Sequence, residues 1–209
     1  MNALNVLKYL KKSGIRPIKT ADIACEFNVS LEAAAQTLKR LSGAEVIPKL
    51  SRGVYWNPFY PPENSFCLHQ VIAVDSYISL QTALWMHGII EQKPYLITSI
   101  RWAGKSFECT NEYGWYRFTR FPERLIFGYY NYTEKMIWVA EPEKALLDYF
   151  YYLLKIRKTT PRLQELWLDR FDKNKFLEYA EKMELLDFLK ETGLDNPKKW
   201  PELEPVGVV

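Results

Sequence analysis

Short helical segments separated by a tight turn dominate the first third of the chain, and their spacing restricts its possible folds most strongly. The alternation of apolar and polar residues predicts a helix ending at Gly14, a second capped by Thr20 and a third capped by Ser30. Two helices joined by so short a turn cross at a steep angle only when small residues lie at the crossing. Ala24 and the alanines at 33–35 supply those small residues. The spacing therefore predicts a helix-turn-helix unit.

A β-hairpin is predicted directly after the third helix. Two β-prone runs flank Ser51, Arg52 and Gly53, and the glycine can supply the positive backbone dihedral that a tight turn needs. A helix-turn-helix followed at once by a hairpin has the order of elements of a winged helix. We therefore predict a winged helix-turn-helix over residues 1–57.

The outward face of the third predicted helix carries side chains suited to the major groove of DNA. Gln36 can bond the edge of adenine and Arg40 the edge of guanine, each through two hydrogen bonds. Thr37 and Lys39 flank this face and are predicted to hold phosphates. The alternative is a solvated helix face that contacts nothing.

Charge is distributed unevenly along the chain. Residues 1–60 contain nine Lys or Arg against four Asp or Glu, a net charge of +5, so the remaining residues carry −2 of the total of +3. Such an asymmetry predicts a polyanionic partner for the first third. Lys49 and Arg52, on the predicted hairpin, are expected to contact phosphates or enter the minor groove. We therefore predict double-stranded DNA as the partner of this unit.

The rest of the chain predicts an α+β domain. Residues 58–64 are rich in Pro and Asn, and we predict a linker there. We predict the mixed domain over residues 65–195 and an irregular tail over residues 196–209. Ser79 is expected to cap a short helix over 80–87. Beyond it, β-prone runs occupy 95–102, 106–109, 115–121, 125–130 and 136–140, and helical patterns occupy 142–154, 161–170, 173–183 and 185–192. The order predicts a mostly antiparallel sheet with helices before and after it.

The composition and the spacing of residues argue against a membrane protein and against a metal-binding protein. No apolar run approaches the about 20 residues of a membrane span, and the N-terminus lacks the apolar centre of a signal peptide, so we expect a cytoplasmic protein without a membrane partner. Cys25, Cys67 and Cys109 are far apart and are expected to be buried thiols. Neither His69 nor His87 stands beside a cysteine, and no Gly-rich phosphate loop occurs. We expect no metal and no cofactor.

A cluster of charged residues at a predicted strand-to-helix junction raises a nuclease alternative. Metal-dependent nucleases use acids and a lysine to bind Mg²⁺ and position water, and Glu141, Glu143, Lys144 and Asp148 are of those types. Glu143 and Lys144 are adjacent, so their side chains diverge, and a surface network with Lys144 and Asp148 as i,i+4 neighbours is favoured. His87 is expected to donate to a carbonyl at the end of its own helix. We predict no catalytic residues.

Two sequence strings resemble a known family. One, S-x-x-x-A-L-x-x-H-G, runs from Ser79 to Gly88, and the other, P-E-K-A-L-x-D, runs from Pro142 to Asp148. Behind a predicted winged helix they resemble the AbiEi antitoxins, over about residues 5–155. The resemblance implies a transcriptional regulator that represses its own two-gene operon through inverted repeats. It also implies a type IV toxin–antitoxin system for phage defence, in which a C-terminal antitoxin activity opposes a nucleotidyltransferase-like toxin, with or without a stable complex.

The sequence thus predicts an α+β regulator with a DNA-binding winged helix. The main alternative is a protein-interaction module whose winged helix docks a partner protein. Salt dependence separates these two hypotheses, because phosphate contacts release counterions when DNA binds.

Overall fold

The computed structural model describes residues 2–131, 137–161, 166 and 172–195. The chain divides into two compact units: Met1–Val74 with Glu108–Tyr116 form unit 1, and Asp75–Phe107 with Arg117–Val209 form unit 2. The predicted linker, 58–64, therefore lies inside unit 1. The predicted tail at 196–209 and nearly all of the predicted helix at 161–170 lie outside the described residues.

Unit 1 begins with three helices and a small sheet. Its elements are α1 (Ala3–Ser13), β1 (Ile18–Lys19), α2 (Thr20–Glu26), α3 (Leu31–Gly43), β2 (Lys49–Ser51) and β3 (Val54–Tyr55). Strand β3 lies between β1 and β2 and pairs antiparallel with both. A 3-10 turn at Ser65–Leu68 and the short helix α4 (His69–Ile72) follow. The three helices and the hairpin occupy the positions that the sequence predicts.

Local signals set the ends of these helices. Gly14 ends α1 with a φ of 64°, a left-handed conformation that glycine adopts without strain. The Ser30 side chain accepts a hydrogen bond from the Ala33 N–H at 3.2 Å, which confirms the predicted cap of α3. Thr20 does not cap α2 as predicted. It is the first helical residue, and its hydroxyl donates instead to the Gly53 carbonyl, 3.5 Å away on the hairpin.

The core of unit 1 lies between the three helices and the sheet. Its buried residues are Val6, Leu10, Ile18, Ile23, Ala24, Ala34, Leu38, Leu41, Ile47 and Tyr55. Ala24 and Ala34, predicted at the helix crossing, are both among them. Leu31, predicted in the apolar stripe of α3, is 60% exposed. It is the first residue of that helix and lies one turn before Ala34, the first α3 residue to enter the core.

The cysteines differ from the expectation of buried thiols. Cys25 is exposed on α2, and Cys67 and Cys109 are half-buried. Cys25 directly follows Ala24, and successive residues of a helix point about 100° apart, so the inward direction of Ala24 turns Cys25 toward solvent.

His69 of α4 is completely buried, and burial lowers the pKa of its imidazole to about 3. The unfolded chain takes up a proton near pH 6.5, whereas the folded chain keeps this ring neutral, so stability is lost as pH falls from about 6.5 toward 3. We expect the free energy of unfolding to fall by about 2 kcal/mol between pH 7 and pH 5 from this group alone. Urea denaturation of His69→Gln at both pH values checks the assignment, because an unchanged pH dependence in that variant would contradict it.

Unit 2 is built around a mixed sheet. Its elements, with the hairpin that it shares with unit 1, are β4 (Ser76–Ile78), α5 (Leu80–Met86), β5 (Leu96–Arg101), β6 (Phe107–Asn111), β7 (Gly114–Arg120), β8 (Tyr129–Asn131), β9 (Trp138–Ala140), α6 (Pro142–Tyr151), α7 (Lys173–Lys182) and α8 (Leu186–Thr192). The strand order is β6-β7-β5-β4-β9-β8. Strand β4 pairs antiparallel with β5 and parallel with β9, and β8 pairs antiparallel with β9. The predicted α+β class is confirmed.

One predicted strand is displaced along the chain. Instead of a strand at 125–130, the chain forms a 3-10 turn at Glu123–Leu125 and enters β8 only at Tyr129. Gly128 has a φ of 64°, which interrupts the extended backbone just before that strand. Among the residues that the structure describes, no helix is both long and apolar enough to cross a membrane.

Candidate nucleic-acid interface

Three predicted DNA-contacting side chains lie exposed on one face of α3. Gln36, Lys39 and Arg40 are all exposed, and their i, i+3 and i+4 spacing places them side by side on the helix. Over the described residues, none of these side chains forms a hydrogen bond or ion pair within the chain. Their polar groups are therefore available to an external partner.

Thr37 lies at the edge of this face and is buried. Only 7% of it is exposed, and its hydroxyl donates to the Ala33 carbonyl at 3.0 Å. The residue that follows it, Leu38, is part of the core. A phosphate contact needs a hydroxyl that solvent can reach, so we leave Thr37 out of the interface.

The β2–β3 hairpin presents the remaining two cations. Lys49 begins β2, Arg52 lies in the turn beside Gly53, and both cations are exposed and without an ion pair in the described part of the chain. The turn is possible because Gly53 has a φ of 75°. Asn111 holds the hairpin from another part of unit 1, where its amide donates to the Leu50 carbonyl at 3.3 Å.

We call Gln36, Lys39, Arg40, Lys49 and Arg52 the α3–hairpin surface. Four cations and one amide lie on two consecutive elements, α3 and the hairpin. The Gln36 amide offers a donor and an acceptor for the edge of adenine, Arg40 offers two donors for the edge of guanine, and the other three cations can neutralise phosphates. The chemistry of this surface suits a polyanion better than a basic, apolar or zwitterionic ligand.

The charged cluster of unit 2 is internal, and the predicted surface network is wrong. Lys144 and Asp148 are both 0% exposed and form an ion pair within α6. Tyr77 and Ser79 both donate hydroxyl hydrogen bonds to one Asp148 oxygen, at 3.1 and 2.7 Å. Burial lowers the pKa of Lys144 and raises that of Asp148, while their mutual attraction opposes both changes. We call these four residues the buried polar cluster.

Because the Ser79 side chain is engaged in this cluster, it does not cap α5 as predicted. The Thr98 hydroxyl accepts from the Thr82 N–H at 3.1 Å and donates to the Ser79 carbonyl at 2.7 Å, so a neighbouring strand provides the cap. Leu80 between them has a φ of 57°, in the left-handed region that leucine rarely adopts. The hydrogen bonds on both sides of Leu80 fix this strained strand-to-helix junction.

His87 is the second-last residue of the first string, and it contacts the strand that precedes the second string. Its Nε2 donates to the Ala140 carbonyl at 2.7 Å, rather than to a carbonyl of its own helix as predicted. Burial lowers the pKa of His87, which favours the neutral ring. Ser79 and His87 therefore tie the first string to α6 and to the strand preceding it.

The two glutamates of the nuclease alternative have structural partners. Glu141 accepts from the Tyr179 hydroxyl at 2.7 Å and pairs with Lys175 at 2.9 Å. The Glu143 carboxylate is buried and accepts from the Asp172 N–H at 2.8 Å. In the part of the chain described, no three His, Cys, Asp or Glu side chains are grouped to hold a metal ion.

A comparison with protein-family models and with curated proteins finds no match for this chain.

Proposed function

We propose that residues 2–57 are a winged helix that binds double-stranded DNA. The observation that carries this proposal is the α3–hairpin surface, on which four exposed cations have no ion-pair partner among the described residues. A helix with an exposed polar face fits the major groove, and a cationic hairpin that follows it in the chain can reach the neighbouring backbone or the minor groove. In this mode Gln36 and Arg40 contact base edges, and Lys39, Lys49 and Arg52 contact phosphates.

We further propose that the chain is a transcriptional regulator of the AbiEi antitoxin type, acting on inverted repeats in its own promoter and opposing a nucleotidyltransferase-like toxin. The support is the resemblance together with one structural fact. Ser79 and His87 of the first string contact Asp148 of the second string and Ala140 just before it. The two strings thus contact each other's elements within unit 2, as expected if a single fold required both.

Single variants test the DNA-binding proposal. We expect Arg40→Ala to weaken binding to the chain's own upstream DNA by about 1–3 kcal/mol and to relax the preference at one base pair, because a bidentate contact to guanine is lost. We expect Arg52→Ala to weaken binding to all duplexes evenly and to lower the salt slope by about one unit. Fluorescence anisotropy with cognate and scrambled duplexes at several salt concentrations measures both effects.

If both variants bind the duplex with the affinity of the wild-type chain, the α3–hairpin surface does not contact DNA. If the wild-type chain does not bind duplex DNA but binds a partner protein with an affinity that salt does not change, the winged helix is a protein-interaction module.

A further inference from the structure

A second basic stripe runs along α1. Lys8, Lys11 and Lys12 are exposed at i, i+3 and i+4 positions, so their ammonium groups lie on one helix face. Like charges at this spacing destabilise a helix, and in the described part of the chain none of the three has an ion-pair partner. The helix dipole favours Lys11 and Lys12 in the last turn, but it does not favour Lys8, which lies earlier. The three ammonium groups are therefore available to an anion outside the chain.

Aromatic rings lie beside these cations. Phe59 is 42% exposed, and the Lys11 ammonium lies 6.0 Å from the centre of its ring. The Arg16 guanidinium lies 5.7 Å from the centre of the Tyr60 ring. Cations and an exposed ring in one place are the two components of sites that bind single-stranded nucleic acids.

The chain holds these rings in place before any partner arrives. The completely buried Asn57 side chain donates to the carbonyls of Leu10 and Ile15, at 2.8 and 3.0 Å. The Tyr60 hydroxyl donates to the Lys11 carbonyl at 2.9 Å, and the Trp56 indole N–H donates to the Tyr60 carbonyl at 2.7 Å. The segment carrying Phe59 is thus fastened to the end of α1. A segment fixed in advance loses little backbone conformational entropy when a ligand binds.

We propose that Lys8, Lys11, Lys12, Arg16 and Phe59, the α1–Phe59 surface, bind single-stranded nucleic acid. The cations hold the backbone phosphates and the Phe59 ring stacks on a base. Bases of a duplex are already stacked on one another, so a protein ring finds a free base face in a single strand and not in an intact duplex. This surface shares no residue with the α3–hairpin surface and does not depend on the duplex-binding proposal.

Anisotropy of the full-length chain with labelled dT20 and with a 20-base-pair duplex tests the assignment. We expect Phe59→Ala to weaken dT20 binding by about fivefold to a hundredfold and to leave duplex binding unchanged. Phe59→Tyr should restore dT20 binding, because it restores the ring. Tyr95→Ala removes a ring that is 82% exposed elsewhere on the chain and should change neither affinity.

Three results would overturn the proposal: no binding of dT20 by the wild-type chain, equal dT20 affinities for wild type and Phe59→Ala, or equal losses for dT20 and duplex in Phe59→Ala. The triple variant Lys8→Gln, Lys11→Gln, Lys12→Gln provides a second measure, since it should weaken dT20 binding and flatten its salt dependence. Arg40→Ala, which alters only the α3–hairpin surface, should leave dT20 binding intact. Loss of duplex binding in Arg40→Ala with dT20 binding retained shows that the two surfaces act separately.

Discussion

The variant Asp148→Asn will unfold with a free energy about 3–5 kcal/mol lower than that of the wild-type chain. The change leaves the Lys144 ammonium, which is 0% exposed, without its carboxylate partner. The Tyr77 and Ser79 hydroxyls also lose a charged acceptor. A buried charge without a partner is among the most destabilising features that a single substitution can create. Urea denaturation at pH 7, followed by circular dichroism, measures the difference.

A matched control lies in α7. Lys182 and Glu178 form an ion pair with the same i,i+4 spacing, but they are 53% and 60% exposed. Glu178→Gln should therefore cost less than about 0.5 kcal/mol. The double variant Lys144→Met, Asp148→Leu should recover most of the loss, because it removes both charges together. Equal stabilities of Asp148→Asn and Glu178→Gln would show that burial of the α6 pair has no energetic consequence.

Simultaneous replacement of Lys39, Arg40, Lys49 and Arg52 by Gln should lower affinity for the upstream duplex by on the order of a thousandfold or more at 100 mM salt. Three of these cations are assigned to phosphates and Arg40 to a base edge. The slope of log K against log salt should fall by about three units, since each neutralised phosphate contributes about 0.9. Anisotropy titrations from 50 to 300 mM salt give both quantities.

The control for this variant removes the same charge from unit 2. Lys105, Lys155, Arg157 and Lys158 are all exposed, and their replacement by Gln lowers the net charge equally. If DNA affinity followed net charge alone, the two quadruple variants would lose it equally. We expect the unit 2 variant to retain most of its affinity, and equal losses would contradict the assigned surface.

The first three helices and the β2–β3 hairpin of unit 1 were predictable because short-range signals determine most of their ends. Ser30 caps α3 through its own side chain, Gly14 ends α1, and Gly53 allows the hairpin turn. Each signal acts within a few residues and needs no knowledge of the tertiary structure. Position on a helical wheel also identified Lys39 and Arg40 as outward. It misplaced Thr37, because the wheel gives a direction but not how far the core extends around the helix.

The buried polar cluster was not predictable in the same way. In sequence, Lys144 and Asp148 match an ordinary surface pair, and only partners about seventy positions away, Tyr77 and Ser79, make their burial possible. One signal was present in the sequence. Ala145, Leu146, Leu147 and Phe150 surround this pair with apolar residues on several sides of α6, as in a helix buried all round. That the Lys144–Asp148 pair is itself buried could be seen only from its tertiary contacts with Tyr77 and Ser79.

Unit 1 is discontinuous in sequence, since it needs Glu108–Tyr116 as well as the first 74 residues. Within it, Ser65 donates to the Tyr113 carbonyl and the Tyr116 hydroxyl donates to the Ser65 carbonyl. A chain that stops after residue 74 loses these bonds and the Asn111 support of the hairpin. A continuous segment that carries all of unit 1 must therefore run through Tyr116 and include residues 75–107 of unit 2. A ribosome also completes unit 1 only after it has synthesised more than thirty residues of unit 2.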